Sequence, residues 1–256
     1  MNAILQSSKV NKTYRIDAGN AHQVLFDVDL SICPGEFVAV MGPSGSGKST
    51  LLYNLCGLDR FNSGSVTFDG QRLESMKEPA LARLRLTDMG FVFQDVHLLQ
   101  NLSLLDNVLL SGFLSRQRPR REVVERAREL LDRTGLSGME TRGITQASGG
   151  QLQRVGICRA LINEPKIVFG DEPTGALNSQ ASKEIMDLLT EVNRRGTTVV
   201  LVTHDARVAA RAGRVLLMMD GRIVSEQNPG AMPTNDSDAI DLREARLTEW
   251  LREKGV

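Results

Sequence analysis

The chain has 256 residues, 41% of them hydrophobic and 24% charged, a globular composition long enough for one large domain or a domain with an inserted subdomain. Lys+Arg and Asp+Glu balance at 31 each, so bulk charge gives no argument for nucleic acid or an anionic membrane. Cys33, Cys56 and Cys158 lack metal-like spacing, "MNAILQSSKVNKTY" shows no export signal, and no apolar run approaches the roughly 20 residues of a membrane span, so a soluble cytosolic protein with reduced thiols is expected.

The segment "VLFDVDLSI" alternates, with Val24, Phe26, Val28, Leu30 and Ile32 on one face and Asp27, Asp29 and Ser31 on the other. That pattern predicts a strand buried on one side, as in an antiparallel sheet. "EFVAVMG" then runs into a glycine-rich loop, and "KSTLLYNLCGL" reads as a helix with Leu51, Leu52 and Leu55 inward. "SVTFDG" is a short strand stopped by a turn at Asp69 and Gly70. The middle of the chain is helical: Ser103 stands three residues before Asp106 as the start of a helix, and Val123, Val124, Ala127, Leu130 and Leu131 form one apolar stripe between Arg120 and Arg133.

Beyond Pro165, "KIVFGDEP" is an apolar strand and "TTVVLVTH" another. Between them "ASKEIMDLLTEVNRRG" reads as a helix facing inward with Ile185, Leu188, Leu189 and Val192. Continuously apolar strands around a helix predict parallel strands covered on both faces. "RVLLMMDGRIVSE" reads as a hairpin turned at Asp220–Gly221, "QNPGAMPTNDSD" as a linker, and "AIDLREARLTEWLREK" as a last helix.

Chemistry concentrates in "GPSGSGKST", which matches G-x-x-x-x-G-K-[ST] with a strand before it and a helix after. Gly42, Gly45 and Gly47 let the backbone wrap a polyphosphate, so that amides and the positive end of a helix dipole face its oxygens. Pro43, Ser44, Ser46 and Thr50 complete the loop; Lys48 neutralises β- and γ-phosphates, and Ser49 takes a place on Mg²⁺. Asp171 ends "KIVFGD" where a Mg²⁺-holding aspartate belongs, and Glu172 beside it suits deprotonation of a water. Gln94 and His204 also stand at strand ends, where α/β sites gather; Gln94 can contact Mg²⁺ or the attacking water, and His204 a γ-phosphate.

In order, these residues resemble the ATP-binding cassette (ABC) ATPases, from about Ala3 to Glu226. Tyr14 is similar to the aromatic that stacks on adenine, Gln94 sits in the Q-loop position, and "ASGGQLQR" in that of the signature, with Ser148, Gly149, Gly150 and Gln151. "GALNSQ" matches the D-loop, and His204 the switch position. Ala147 replaces the leucine that usually opens the signature, Asn178 stands where the D-loop often has aspartate, and Gly170 precedes Asp171 where a bulkier residue is commoner.

The resemblance implies an α/β fold, a P-loop NTPase cassette with a mixed core sheet, an N-terminal antiparallel β subdomain and an inserted helical subdomain. It places the ATPase domain at 1–226 with the helical subdomain at about 95–160, followed by a linker and helix at 227–256. It also implies ATP and Mg²⁺ as cofactors, and a homodimer or paired cassette in which the signature of one copy closes over ATP held by the other. An integral-membrane permease would recruit the cassette to the cytoplasmic face, with no nucleic-acid partner. Leu98, Leu99, Leu102, Leu104 and Leu105 either line the permease's docking groove or pack the subdomain core. The sequence details look like cassettes of macrolide export, lipoprotein release and cell division, with "PTGALNS" nearest those of bacitracin- and lantibiotic-resistance permeases. Regulation of a membrane complex without transport, as in cell division, is the alternative. Ile240, Leu247, Trp250 and Leu251 share a helical face on the tail, which either docks on its own cassette or helps dimerise.

Overall fold

The computed structural model describes residues 2–17, 20–230 and 237–256. These form two compact units, one of residues 1–77 with 198–256 and one of residues 78–197.

The first unit carries an antiparallel sheet of β1 (Leu5–Asp17), β2 (Asn20–Ile32), β4 (Ser63–Phe68) and β5 (Gln71–Arg72), in the order β2-β1-β4-β5. The alternation expected in β2 holds from Val28 to Ile32 and then changes phase. Leu25 is fully buried, whereas Val24 and Phe26 are half-buried. The cause is a bulge: Asp27 adopts φ 46°, and the pairing with β1 slips between Val10↔Val28 and Lys12↔Leu25. One extra residue in a strand exchanges its two faces, so Leu25 takes the core position that strict alternation assigns to its neighbours. Asn11 braces the bulge, its amide donating to Asp27 Oδ1 (2.9 Å) and its carbonyl oxygen accepting from the Asp27 amide (3.1 Å).

The same unit holds β3 (Phe37–Met41), β8 (Thr198–Val202), β9 (Arg214–Met219) and β10 (Arg222–Gln227). Strand β3 runs parallel to β8 and β9, while β9 and β10 are antiparallel, so this sheet is mixed as expected. Every residue of β3 and β8 is buried, which explains their unbroken apolar sequences. Both hairpin turns have positive φ at two consecutive residues, Asp69–Gly70 (46° and 77°) and Asp220–Gly221 (44° and 74°), the geometry that Asp-Gly favours. Helices α1 (Lys48–Leu55) and α7 (Ala206–Ala209) lie in this unit, and so does α8 (Ser237–Glu253). Ile240, Leu247, Trp250 and Leu251 of α8 are all buried, and Arg207 of α7 pairs with Asp241 at 3.2 Å. Arg243 of α8 donates to the carbonyls of Pro229 (3.0 Å) and Gly230 (3.1 Å). The tail therefore docks on its own unit; of the linker expected at 227–238, residues 231–236 lie outside the described residues.

The second unit holds α2 (Glu78–Asp88), the parallel pair β6 (Met89–Phe93) and β7 (Ile167–Asp171), and helices α3 (Leu104–Ser115), α4 (Arg120–Arg133), α5 (Gly149–Leu161) and α6 (Ser179–Arg194). Leu104, Val108, Ala127, Leu131, Val155 and Cys158 form the centre of one apolar cluster shared by α3, α4 and α5. Burial drives the Cys158 thiol up to about 12, so it packs as an inert, protonated group. Gly112 is required where α3 meets α4, since a Cβ there would stand 2.4 Å from Val123. Ser103 caps α3 by accepting from the Asp106 amide (3.1 Å) and donates its hydroxyl to the Asp106 carboxylate (2.6 Å). Among the described residues no helix is long and apolar enough to cross a membrane.

Candidate functional site

In the first unit the expected phosphate loop joins β3 to α1. Gly42, Gly45 and Gly47 adopt φ of 150°, 80° and 98°. A Cβ at Gly42 would lie 2.0 Å from the Met218 carbonyl, so backbone packing alone demands glycine there. Helix α1 opens on Gly47 without a side-chain cap and without an acidic residue in its first turn, which leaves its positive end open to an anion. Lys48 is buried and its ammonium folds over the loop, donating to the carbonyls of Gly42 and Pro43 at 2.9 Å each. The Ser46 hydroxyl is buried with no hydrogen-bond partner among the described residues. An open helix end, an orphaned hydroxyl and an ammonium over the loop are the features a phosphate chain would complete.

Strand pairing brings His204 beside this loop. Val40 of β3 pairs with Val202 of β8, and the Thr203 amide donates to the Val40 carbonyl (3.1 Å), so Gly42 and His204 leave neighbouring parallel strands at the same end. His204 is exposed, and Asp205 after it caps α7. The loop is braced from the other side by the β9–β10 turn. The Gly221 amide donates to the Ser46 carbonyl (3.0 Å), and the Gly221 carbonyl accepts from the Phe26 amide (3.0 Å). A Cβ at Gly221 would lie 2.1 Å from the Val24 carbonyl.

Tyr14 lies on β1, 39% exposed, and is held by residues that local patterning had not singled out. Its hydroxyl donates to Asp59 Oδ2 (2.6 Å), and Lys12 bonds Asp59 Oδ1 and the Arg60 carbonyl, both at 2.6 Å. The Lys12 ammonium also sits over the Tyr14 ring, 4.5 Å from its centroid. Burial and the Asp59 carboxylate raise the Tyr14 hydroxyl above its usual pKa, against an opposing hydrogen bond from Thr50. For Asp59, burial pushes upward, but the Lys12 ammonium and the Tyr14 hydroxyl outweigh it and hold the carboxyl below its ordinary range.

In the second unit Phe93 pairs with Asp171, so Gln94 and Glu172 follow at the same ends of parallel neighbours. Both side chains converge on Gly175: a Cβ there would lie 3.1 Å from Gln94 Nε2 and 3.3 Å from Glu172 Oε2. Glu172 carries φ 45°, a left-handed backbone uncommon for a residue other than glycine. The loop after Gln94 is stitched to α5. Gln153 donates to the Phe93 carbonyl (2.9 Å), and Arg159 to those of Val96 (2.6 Å) and His97 (2.8 Å). Gly156 permits this approach, since a Cβ on it would stand 2.6 Å from Val96.

The signature stretch forms the N-terminus of α5. Ser148 accepts from the Gln151 amide (3.3 Å), and the Gln151 side chain accepts from the Ser148 amide (2.8 Å), a complete capping box. Ser148 and Gly149 are exposed, Gly150 is half-buried, and Ala147 packs against the helical cluster. Asn178 caps α6, its side-chain oxygen accepting from the Ala181 amide (2.9 Å). Of the five leucines after Gln94, Leu104 belongs to the core, Leu98 and Leu105 pack against it, and Leu99 is 48% exposed. Leu110 and Leu114 on α3 are exposed as well, although the sequence reading did not name them.

The profile of the ABC transporter family matches residues 25–175. Among curated relatives, the chain is 45% identical over 230 residues to the macrolide export ATP-binding/permease protein MacB of Escherichia coli, covering 88% of this chain and 35% of that protein. It is 44% identical to the uncharacterized ABC transporter ATP-binding protein YknY of Bacillus subtilis, covering 86% of this chain and 95% of the relative. The chain thus spans about a third of the macrolide-export relatives it matches. Among solved structures it is similar to the ATP-binding cassette MJ0796, dimeric in a post-hydrolysis state and bound to ADP and Pi. The TM-score is 0.83 and the identity 38%, covering 89% of this chain and all of that one.

Proposed function

The chain belongs to the ABC transporter family as an ATP-hydrolysing cassette, and from that premise we propose that two copies close around two ATP molecules to drive a membrane permease in export. The dimeric state of the similar MJ0796 cassette and the export named for the MacB relatives support this reading. The observation that carries it is the signature edge. Ser148 and Gly149 are exposed at the positive end of a helix, where the Ser148 hydroxyl that accepts from the Gln151 amide still has its own proton to donate to an anion. A γ-phosphate held by a second copy is the occupant of matching charge.

Each residue then has a part. Gly42, Pro43, Ser44, Gly45, Ser46, Gly47 and Thr50 wrap the phosphates, Lys48 neutralises them, and Tyr14 stacks on the base. Ser49, Gln94 and Asp171 are the oxygen donors that would hold Mg²⁺, and the ion would supply charge neutralisation when bound. Glu172 accepts the proton of the attacking water, and His204 fixes the γ-phosphate. Ser148, Gly149, Gly150 and Gln151 meet the nucleotide of the other copy, with Gln151 supporting the cap. The exposed Leu99, Leu110 and Leu114 suit a cytoplasmic helix of the permease, whether that lies in the same or a separate polypeptide. The cassette works at the cytoplasmic face of the membrane.

Glu172→Gln keeps the side chain's shape but removes the base. The variant is expected to bind ATP, lose turnover and accumulate as an ATP-bound dimer in light scattering. A Glu172→Gln protein that stays monomeric with saturating ATP and Mg²⁺ overturns the cycle.

A further inference from the structure

The aromatic platform expected to receive the base is not a free side chain on a strand. Tyr14, Lys12 and Asp59 form a closed arrangement in which one carboxylate bridges both partners, Oδ1 to the ammonium and Oδ2 to the phenol, each at 2.6 Å. Lys12 is 7% exposed and covers one ring face, so the ring's exposure belongs to its other side. Asp59 lies in the turn that follows α1, and two further bonds stitch that turn to β1. The Thr13 amide donates to Asn62 Oδ1 (2.7 Å), and the Asn62 amide donates to the Asn11 carbonyl (2.8 Å). Helix α1 carries the phosphate loop at one end and this anchor just beyond the other, about 12 Å apart for eight residues at 1.5 Å each.

We propose that Asp59 and Lys12 are positioning residues that preset Tyr14 as the base platform, at a distance from the phosphate loop ruled by α1. The inference rests on the ATP reading above, in which Tyr14 stacks on adenine. Without the carboxylate the phenol loses its fixed acceptor, and Lys12 is left a buried ammonium with one strong partner fewer. The ring then samples other rotamers, and each binding event must order it again. With the tether in place that ordering precedes ATP, and the single open face directs the base to one side.

The test separates base from phosphate. Tyr14→Phe keeps a stacking ring and removes only the phenolic oxygen, so it asks about the tether alone. Asp59→Asn removes the charge that holds both partners. Steady-state ATPase is measured for each, together with inhibition by inorganic tripolyphosphate, which has no base. The expected result is a rise in KM for ATP on the order of threefold to tenfold in Tyr14→Phe, with kcat at saturation and tripolyphosphate inhibition held. Asp59→Asn should match or exceed that rise, and Asp59→Glu should recover part of it. A Tyr14→Phe variant with the wild-type KM overturns the inference, because stacking alone then suffices. So does an equal loss of tripolyphosphate binding, which would mean that the phosphate loop itself had moved. A wild-type protein that binds tripolyphosphate but discriminates nothing in favour of ATP instead undoes the ATP reading, and this inference with it.

Discussion

Ser148 has two duties that a charge can separate. Within the chain its hydroxyl caps α5, and toward a second copy it is proposed to meet a γ-phosphate. Aspartate caps a helix about as well as serine and adds a favourable charge at the positive helix end, roughly 0.3–1 kcal/mol. Ser148→Asp should therefore melt at or slightly above the wild-type temperature. Toward the phosphate the same carboxylate is repulsive: two unit charges about 4 Å apart at an effective dielectric near 20 interact by about 4 kcal/mol. That would weaken closure by nearly three orders of magnitude, at about 1.4 kcal/mol per tenfold. Ser148→Ala reverses the ranking. It loses the cap, about 1 kcal/mol or roughly 2–4 °C for a chain of this size, but adds no charge at the closing edge. The assay is a thermal melt of both variants, followed by light scattering with ATP in a Glu172→Gln background. A Ser148→Asp protein that dimerises like its parent refutes the proposed contact. One that melts several degrees lower refutes the capping argument.

Three other substitutions probe the scaffold. Gly221→Ala places a Cβ 2.1 Å from the Val24 carbonyl at φ 74°, and strain with overpacking should cost about 2–5 kcal/mol and weaken ATP binding through the Ser46 carbonyl; an unchanged melt counts against it. Leu247→Ala empties a site that is 1% exposed, with an expected loss of about 2–5 kcal/mol and earlier proteolytic release of α8. A global melt left intact would show α8 to be an appendage. For Asp59 the lowered pKa sets the sign of the pH dependence: its contribution is complete above the ordinary carboxylate value of about 4 and is lost as pH falls through the lowered one. The gap in melting temperature between wild type and Asp59→Asn should be open at neutral pH and close in acid; a gap independent of pH would refute the ion-pair account.

Local features of the chain were readable because local physics decides them. The unbroken apolar runs of β3 and β8 report strands covered on both faces, and both Asp-Gly pairs mark turns whose φ angles few other residues accept. The phosphate loop needs glycines at short, set intervals, so its spacing survives as a pattern. The capping box of Ser148 and Gln151, which the sequence analysis did not name, obeys the same local rule as the cap at Ser103, and it gives that motif a structural duty beside the proposed one. Strand β1, mostly polar and interrupted by irregular pairing, has no such period; it is a strand because β2 and β4 pair with it. Likewise only the bulge at Asp27 decides that Leu25 enters the core, and only the parallel register of β6 and β7 sets Gln94 and Glu172 against the same glycine. Lys12 and Asp59 stand 47 residues apart, and Gly221 lies far along the chain from the Ser46 it supports. Period and turn chemistry act over a few residues, whereas these pairings depend on how distant strands align, and that alignment is settled only when the whole sheet closes.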